Sequence, residues 1–169
     1  IYKGIKKMMP GSFMLLDLNN IYKALESNPQ SYWNLNEIIE TSKKNLFSGD
    51  DIDAALEIEF QLEKSVKQQM LSDVPLGAFL SGGIDSSIIA AIAAENSKSE
   101  IETFTVGFND KSLDETNPAN QIAKRLGTKN KVINFDSEDI KDLTERAFKN
   151  LDIPLGDSSY IPTYLLCER

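Results

Sequence analysis

A short apolar run, two glycines and a second apolar stretch together restrict the fold of this chain more than any other feature. Residues 76–80 are short and apolar enough for a buried strand. Ser-Gly-Gly at residues 81–83 ends that run, and Asp-Ser-Ser at residues 85–87 opens a helical stretch over residues 88–94. The sequence therefore predicts a strand, a glycine turn and a helix in direct succession.

The chain after residue 50 continues to alternate helices and strands. A helix is predicted from residue 51 and ends before Pro75, because proline disfavours helical geometry in the residue before it. Further strands are predicted over residues 103–108 and 131–135, and further helices over 116–126, 137–149 and from 161 onward. This order predicts an α/β fold, with a parallel twisted sheet, right-handed crossovers and helices on both faces.

Apolar residues recur at three- and four-residue steps in two of these helices. In the helix from residue 51 the positions are Ile52, Leu56, Phe60, Glu63, Val66 and Met70, and all of them except Glu63 are apolar. In the helix over residues 116–126 they are Ala119, Ile122, Ala123 and Leu126, with Gly127 as the stop signal. Ser137 is the predicted cap of the next helix, and Glu138 and Asp139 lie in its first turn.

The first fifty residues differ in sequence pattern from the rest, which alternates predicted helices and strands. Residues 12–18 are predicted to form a strand, followed by a hairpin-like turn at Asn19-Asn20. Tyr32 and Trp33 are interpreted as anchors of a crossing segment, in preference to exposed aromatics that bind a base. Because the chain begins without methionine and ends within a predicted helix, we expect it to be a piece of a longer protein.

The predicted turn at residues 81–83, after the strand at residues 76–80, combines three sources of affinity for an anion. Backbone N–H groups at a helix start have no partner within the helix, and the helix dipole is positive there. Gly82 and Gly83 allow close approach of the backbone, and the hydroxyls of Ser81, Ser86 and Ser87 can donate hydrogen bonds. The simpler interpretation is a glycine turn with an aspartate or serine cap.

Asp85 separates this turn from the common phosphate-binding loops. No lysine follows the glycines, as the Walker A pattern requires, and the spacing is not that of the dinucleotide fingerprint. A carboxylate beside phosphate is unfavourable unless a hard cation lies between them, so Asp85 predicts Mg²⁺. In a parallel sheet, the carboxyl end of a strand is where ligands bind.

Composition excludes several classes of function. A net charge of −8 argues against a broad nucleic-acid surface. No apolar run approaches the ~20 residues of a membrane span and no signal peptide pattern is present, so we expect a cytoplasmic protein. Cys167 is the only cysteine and histidine is absent, which excludes an internal disulfide, a cysteine-rich metal cluster and Ser-His-Asp chemistry.

Residues 73–87, which read DVPLGAFLSGGIDSS, resemble the signature of the glutamine-hydrolysing asparagine synthetases. Several ATP pyrophosphatase families share the loop Ser-Gly-Gly-x-Asp-Ser, and the Val74-Pro75 lead-in makes the resemblance more specific. Residues 103–108, Asp114-Glu115 with Ala119, and residues 157–164 are similar to further segments of the same family. The start of the chain resembles the stretch that leads out of the family's glutaminase domain.

The resemblance implies an adenine-nucleotide α-hydrolase-like fold and a reaction that uses two sites. A glutaminase domain would release ammonia, and the synthetase domain would adenylate aspartate with ATP and Mg²⁺ before ammonia displaces AMP. The implied partners are these small molecules, the glutaminase domain of the same chain and, as one assembly to consider, a second copy in a homodimer. Residues 1–50 would lead from the glutaminase domain into residues 51–169, the first part of the synthetase domain.

The resemblance also implies roles for particular residues. Those implied to bind the nucleotide are Leu80, Ser81, Gly82, Gly83, Asp85, Ser86, Ser87 and Val106. Pyrophosphate oxygens would lie against the loop and adenosine against Leu80 and Val106. Asp85 is implied as both the metal ligand and the catalytic residue.

Departures from the family's pattern leave alternatives open. The family's N-terminal cysteine and its second motif, Ser-Gly-x-Gly-x-Asp-Glu, are missing, so we expect a sheet that is incomplete at its C-terminal end and a fragment that is inactive alone. Lys129-Asn130-Lys131 stands where the family usually has a histidine, and Asp152-Ile153-Pro154 where many members have Asp-Glu-Pro. The alternatives are an amidotransferase for another carboxylate, another ATP pyrophosphatase such as a tRNA-modifying enzyme or NAD or GMP synthetase, and a nucleotide-binding domain without catalysis.

Four further residues have both a functional and a structural interpretation. Asp114 and Glu115 are most simply turn acids before a helix. Asp157 and Ser158 are equally well interpreted as a helix cap.

Overall fold

The computed structural model describes residues 3–135, 140–152 and 155–168. It divides into two compact units, Ile1–Asp51 and Ile52–Arg169. The predictions that fall on Ser137, Glu138, Asp139 and Ile153-Pro154 lie outside the described residues.

The first unit contains two short strands and two helices. They are β1 (Ser12–Phe13), α1 (Ile21–Leu25), β2 (Gln30–Ser31) and α2 (Leu35–Lys44). β1 pairs antiparallel with β2, and the strand predicted over residues 12–18 is wrong beyond Phe13. The predicted hairpin-like turn is followed by α1, because the Asn20 side chain accepts a hydrogen bond from the Lys23 N–H at 3.1 Å and caps that helix.

The backbone of Tyr32 and Trp33 connects this segment to Gly11. Both N–H groups donate to the Gly11 carbonyl, at 2.9 and 3.1 Å, while both side chains are exposed. Helix α2, which was not predicted from the sequence, begins where the Asn34 side chain accepts from the Asn36 N–H at 2.9 Å.

The second unit alternates helices and strands as predicted. Its elements are α3 (Asp51–Gln69), β3 (Gly77–Phe79), α4 (Ile84–Asn96), β4 (Glu102–Phe108), α5 (Thr116–Leu126), β5 (Lys129–Phe135), α6 (Ile140–Lys149) and α7 (Tyr160–Glu168). The three strands form a parallel sheet in the order β3-β4-β5. The predicted α/β class is confirmed.

Helices cover both faces of this sheet. On one face α4 and α5 pack together, and Ala90, Ala119 and Ala123 form a buried cluster with Leu80. On the other face α7 lies against β4 and β5, and α6 packs on α7. The small side chains on α4 and α5 allow the two helices to approach the sheet closely.

Two predicted apolar segments are less buried than their patterns indicate. In α3 only Val66 is buried, packed with Ala93 and Ile101, while Ile52 and Phe60 are exposed. Only the C-terminal half of α3 therefore contributes to the core of this unit. In β3 the expectation of a buried strand is wrong for Phe79, which is exposed; the buried residue is Leu80, directly after the strand.

Among the described residues, no helix combines the length and the apolar character that crossing a membrane requires.

Candidate functional site

The loop after β3 rests on the start of α5. Gly82 has φ +83°, a left-handed conformation that favours glycine. A Cβ at this position would lie 3.0 Å from the Ala119 nitrogen and 3.0 Å from the Pro118 Cβ. The glycine therefore allows both the turn and the close approach to α5.

The loop serines are hydrogen-bonded to one another and to the loop backbone. The Ser81 N–H donates to the Ser86 hydroxyl at 3.2 Å, and the two hydroxyls lie 2.9 Å apart. The Gly83 N–H donates to the Ser81 hydroxyl at 3.3 Å, and the Ser87 hydroxyl donates to the Gly83 carbonyl at 2.5 Å.

Helix α4 begins at Ile84 without a side-chain cap. Gly83 is the N-cap residue, in an extended conformation, and it makes no side-chain capping hydrogen bond. The interpretation of an aspartate or serine as the cap is therefore wrong, because Asp85 and Ser86 lie within the first turn. An uncapped helix start leaves N–H groups directed toward the loop, which favours an anion.

A cavity of about 740 Å³ opens beside the loop, between the sheet and α6 and α7. This volume is in the range of small-molecule sites. Its wall is mostly apolar, and four phenylalanines contribute to it: Phe79, Phe104, Phe108 and Phe135.

The cavity collects half of the residues predicted to bind the nucleotide. Leu80, Ser81, Ser86 and Val106 line it. Gly82, Gly83, Asp85 and Ser87 are not part of its wall, and they lie on the loop and in the first turn of α4. The predicted residues thus divide between the wall of an apolar cavity and residues 81–87, the predicted anion loop, and Ser81 and Ser86 belong to both.

Asp114 is a turn acid before α5, as the simpler interpretation predicted, whereas Asp157 bonds to Ser159, the residue before α7, and does not cap that helix. The Asp114 carboxylate accepts from the Thr116 hydroxyl at 2.5 Å and from the Phe108 N–H at 3.3 Å, and both bonds hold its pKa below the ordinary value. The Asp157 carboxylate accepts from the Ser159 hydroxyl and N–H, which also lowers its pKa. Glu115 and Ser158, in contrast, line the cavity.

Sequence reasoning missed most of the cavity wall. Phe104 and Phe108 share one face of β4 with Val106, so alternation along the strand was the signal that could have found them. Ile140 and Ile161 belong to α6 and α7, and no sequence signal places these helices over that face.

Asp85 is the one carboxylate that was predicted to bind Mg²⁺. Within residues 3–135, 140–152 and 155–168, no group of three or more His, Cys, Asp or Glu side chains could hold a metal ion. Asp85 is exposed on the first turn of α4. This arrangement fits Mg²⁺ only if phosphate oxygens supply further ligands, which is how Mg²⁺ is commonly bound in nucleotide sites.

The fold and the site together define an α/β protein with a glycine- and serine-rich loop, the predicted anion loop, at the carboxyl end of a parallel strand. The asparagine synthase family matches residues 57–169, and the chain belongs to that family.

Two curated relatives extend this result. The chain is 32% identical over 171 residues to putative glutamine-hydrolyzing asparagine synthetase 2 of Methanocaldococcus jannaschii, a match that covers 99% of this chain and 30% of the relative. It is 37% identical over 113 residues to glutamine-hydrolyzing asparagine synthetase 1 of Bacillus subtilis, covering 67% of this chain and 18% of the relative. The chain thus spans less than a third of the length of these relatives.

Among solved structures, this chain is similar to the NH3-dependent NAD synthetase of Campylobacter jejuni. The match covers 67% of this chain and 50% of the NAD synthetase chain. The identity is 18% and the TM-score 0.45.

Proposed function

We propose that this chain is the first part of the synthetase domain of an ATP-dependent amidotransferase that makes asparagine from aspartate and glutamine-derived ammonia. The observation that carries the proposal is the loop at residues 81–87, which follows β3 and borders the apolar cavity. Membership of the asparagine synthase family, and the asparagine synthetases among its relatives, support this reaction over others. Because the chain spans only part of those relatives, the reaction is proposed for a protein that also contains a glutaminase domain.

The proposed chemistry makes the aspartate side chain an electrophile. A carboxylate oxygen attacks the α-phosphorus of ATP, the bond to the bridging oxygen breaks, and pyrophosphate leaves. Ammonia then attacks the carbonyl carbon, the bond to AMP breaks, and the nitrogen loses a proton. Donors that face the departing pyrophosphate accelerate the first step, because they stabilise the charge that develops on it.

The loop residues are proposed to supply those donors. N–H groups near Gly82 and Gly83 and the hydroxyls of Ser81 and Ser86 would exchange their internal partners for pyrophosphate oxygens, with Ser87 in support. Leu80 and Val106, in the cavity wall, would contact adenosine. Asp85 would hold Mg²⁺ together with phosphate oxygens, and the ion would supply charge neutralisation.

The test is aspartate-dependent exchange of labelled pyrophosphate into ATP, measured on the intact protein. Asp85→Asn should reduce the exchange by at least about a hundredfold because a metal ligand is lost. Glu95→Gln, on the same helix but far along it, is the matched control and should leave the rate unchanged. Near-normal exchange in Asp85→Asn would contradict the role of Asp85.

The same assay separates the alternatives. Exchange that depends on another carboxylate would make the protein a related amidotransferase with a different acceptor. Calorimetric binding of MgATP, without exchange for any acceptor, would instead indicate a nucleotide-binding domain that lacks catalysis.

A further inference from the structure

A threonine on the middle strand fixes the peptide that opens the anion loop. The Thr105 hydroxyl lies 2.7 Å from the Leu80 carbonyl, and the Leu80 N–H donates to the Phe104 carbonyl at 2.8 Å. Thr105 is 2% exposed and Leu80 1% exposed, so this contact is shielded from water. Leu80 directly precedes Ser81, the first residue of the loop.

The Leu80 carbonyl and the Ser81 N–H belong to one planar peptide unit. Thr105 donates to its oxygen, and the Ser86 hydroxyl accepts from its N–H at 3.2 Å. The plane is thus held at both ends, once from the sheet and once from α4. Rotation of this plane would move the Leu80 carbonyl and the Ser81 N–H together.

Asn130 on β5 connects Thr105 to a larger polar network. Thr103 and Thr105 each lie 3.0 Å from the Asn130 side-chain oxygen, and the Asn130 amide nitrogen donates to the Asn120 side chain on α5 at 2.8 Å. The single Thr105 hydroxyl proton is shared between Leu80 and Asn130. Buried polar groups are costly unless bonded, and valine would have nearly the same shape as threonine here.

We propose that Thr105 is a positioning residue that sets the Leu80–Ser81 peptide for phosphate binding, with Asn130 holding Thr105 in place. The inference rests on the proposed function, because that function makes the loop the pyrophosphate site. Thr103 provides a natural contrast. It is 0% exposed and makes the same 3.0 Å contact with Asn130, but its second hydroxyl contact is with Thr128, at 3.3 Å, where Thr105 contacts Leu80.

The experiment compares Thr105→Val with Thr103→Val in the 169-residue chain. Both variants should lose similar stability in urea, since each loses one buried hydroxyl. Calorimetry with MgATP and with magnesium pyrophosphate should show about tenfold weaker binding for Thr105→Val and no more than about a twofold change for Thr103→Val. Thr105→Ser, which keeps the hydroxyl, should restore most of the affinity.

A second measurement makes the inference independent of ligand binding. Amide chemical shifts and hydrogen exchange of residues 81–83 in the free chain should change in Thr105→Val and remain as in the unmodified chain in Thr103→Val. Equal behaviour of the two variants would overturn the inference. If the unmodified chain binds neither ligand, the loop does not bind phosphate in this chain by itself, and the amide signals alone decide whether Thr105 positions the loop. The proposed function is decided separately, by the exchange assay on the intact protein. Thr105→Ala, with the same readouts, replaces the valine variant if that variant does not fold.

Discussion

At the scale of single residues, Gly82 sets the limits of the anion loop. Its backbone is left-handed, and its α-carbon faces the start of α5 with no room for a side chain. Ser81 and Ser86 then meet across the turn, which brings their hydroxyls within 2.9 Å of each other. The anion loop therefore depends on α5 as well as on its own sequence.

Gly82→Ala should lower the free energy of unfolding by about 2–4 kcal/mol, because a strained backbone and a steric clash with α5 are combined. Gly127→Ala is the matched control: Gly127 has φ +69°, but a Cβ added there would meet no atom within 4 Å. It should cost about 1 kcal/mol for the backbone conformation alone. Urea denaturation measures both, and equal losses would show that α5 does not constrain the loop.

At the scale of elements, one carboxylate joins the end of β4 to the start of α5. Asp114 accepts from the Phe108 N–H on the strand and from the Thr116 hydroxyl and N–H on the helix. Its position fixes where the chain leaves the sheet beside the cavity. These hydrogen bonds give Asp114 a structural role between the strand and the helix.

Stability should depend on the protonation of Asp114. The hydrogen bonds lower its pKa in the folded state, so its contribution is present above the ordinary aspartate pKa, near ~3.9, and is lost as the pH falls through the lower folded value. Asp114→Asn should therefore be less stable than the unmodified chain at neutral pH, and this difference should shrink in strong acid. Urea unfolding at both pH values tests this, with Glu95→Gln as the control; a difference independent of pH would contradict it.

At the scale of the whole molecule, burial is concentrated in the second unit. Helices α2 and α5 have similar length and are both amphipathic, but α2 buries none of its residues whereas α5 buries Ala119 and Ala123. Local stability follows burial more closely than it follows amphipathic pattern.

Native-state hydrogen exchange should reveal this difference. Amides in the middle of α2 should exchange at least about a hundredfold faster than those in the middle of α5, because opening α2 exposes little buried surface. Amides of β4, the central strand, should be among the slowest. Comparable protection in α2 and α5 would show that the apolar face of α2 is covered in solution.

The sequence by itself determined the class of fold, the family and the loop. Strand, turn and helix signals are local, so the elements after residue 50 and the Gly127 stop could be predicted from neighbouring residues. The first unit could not, because its two-residue strands carry almost no periodic signal.

Only the tertiary structure decided which apolar residues are buried and what surrounds the loop. Ile52 and Phe60 match a helical pattern but are exposed, since burial depends on which elements pack together. Alternation along β4 places Phe104 and Phe108 on one face with Val106, but only the position of α7 over β4 showed that this face lines the cavity. The contact between Thr105 and Leu80 joins residues 25 positions apart, and such long-range contacts leave no local pattern in the sequence.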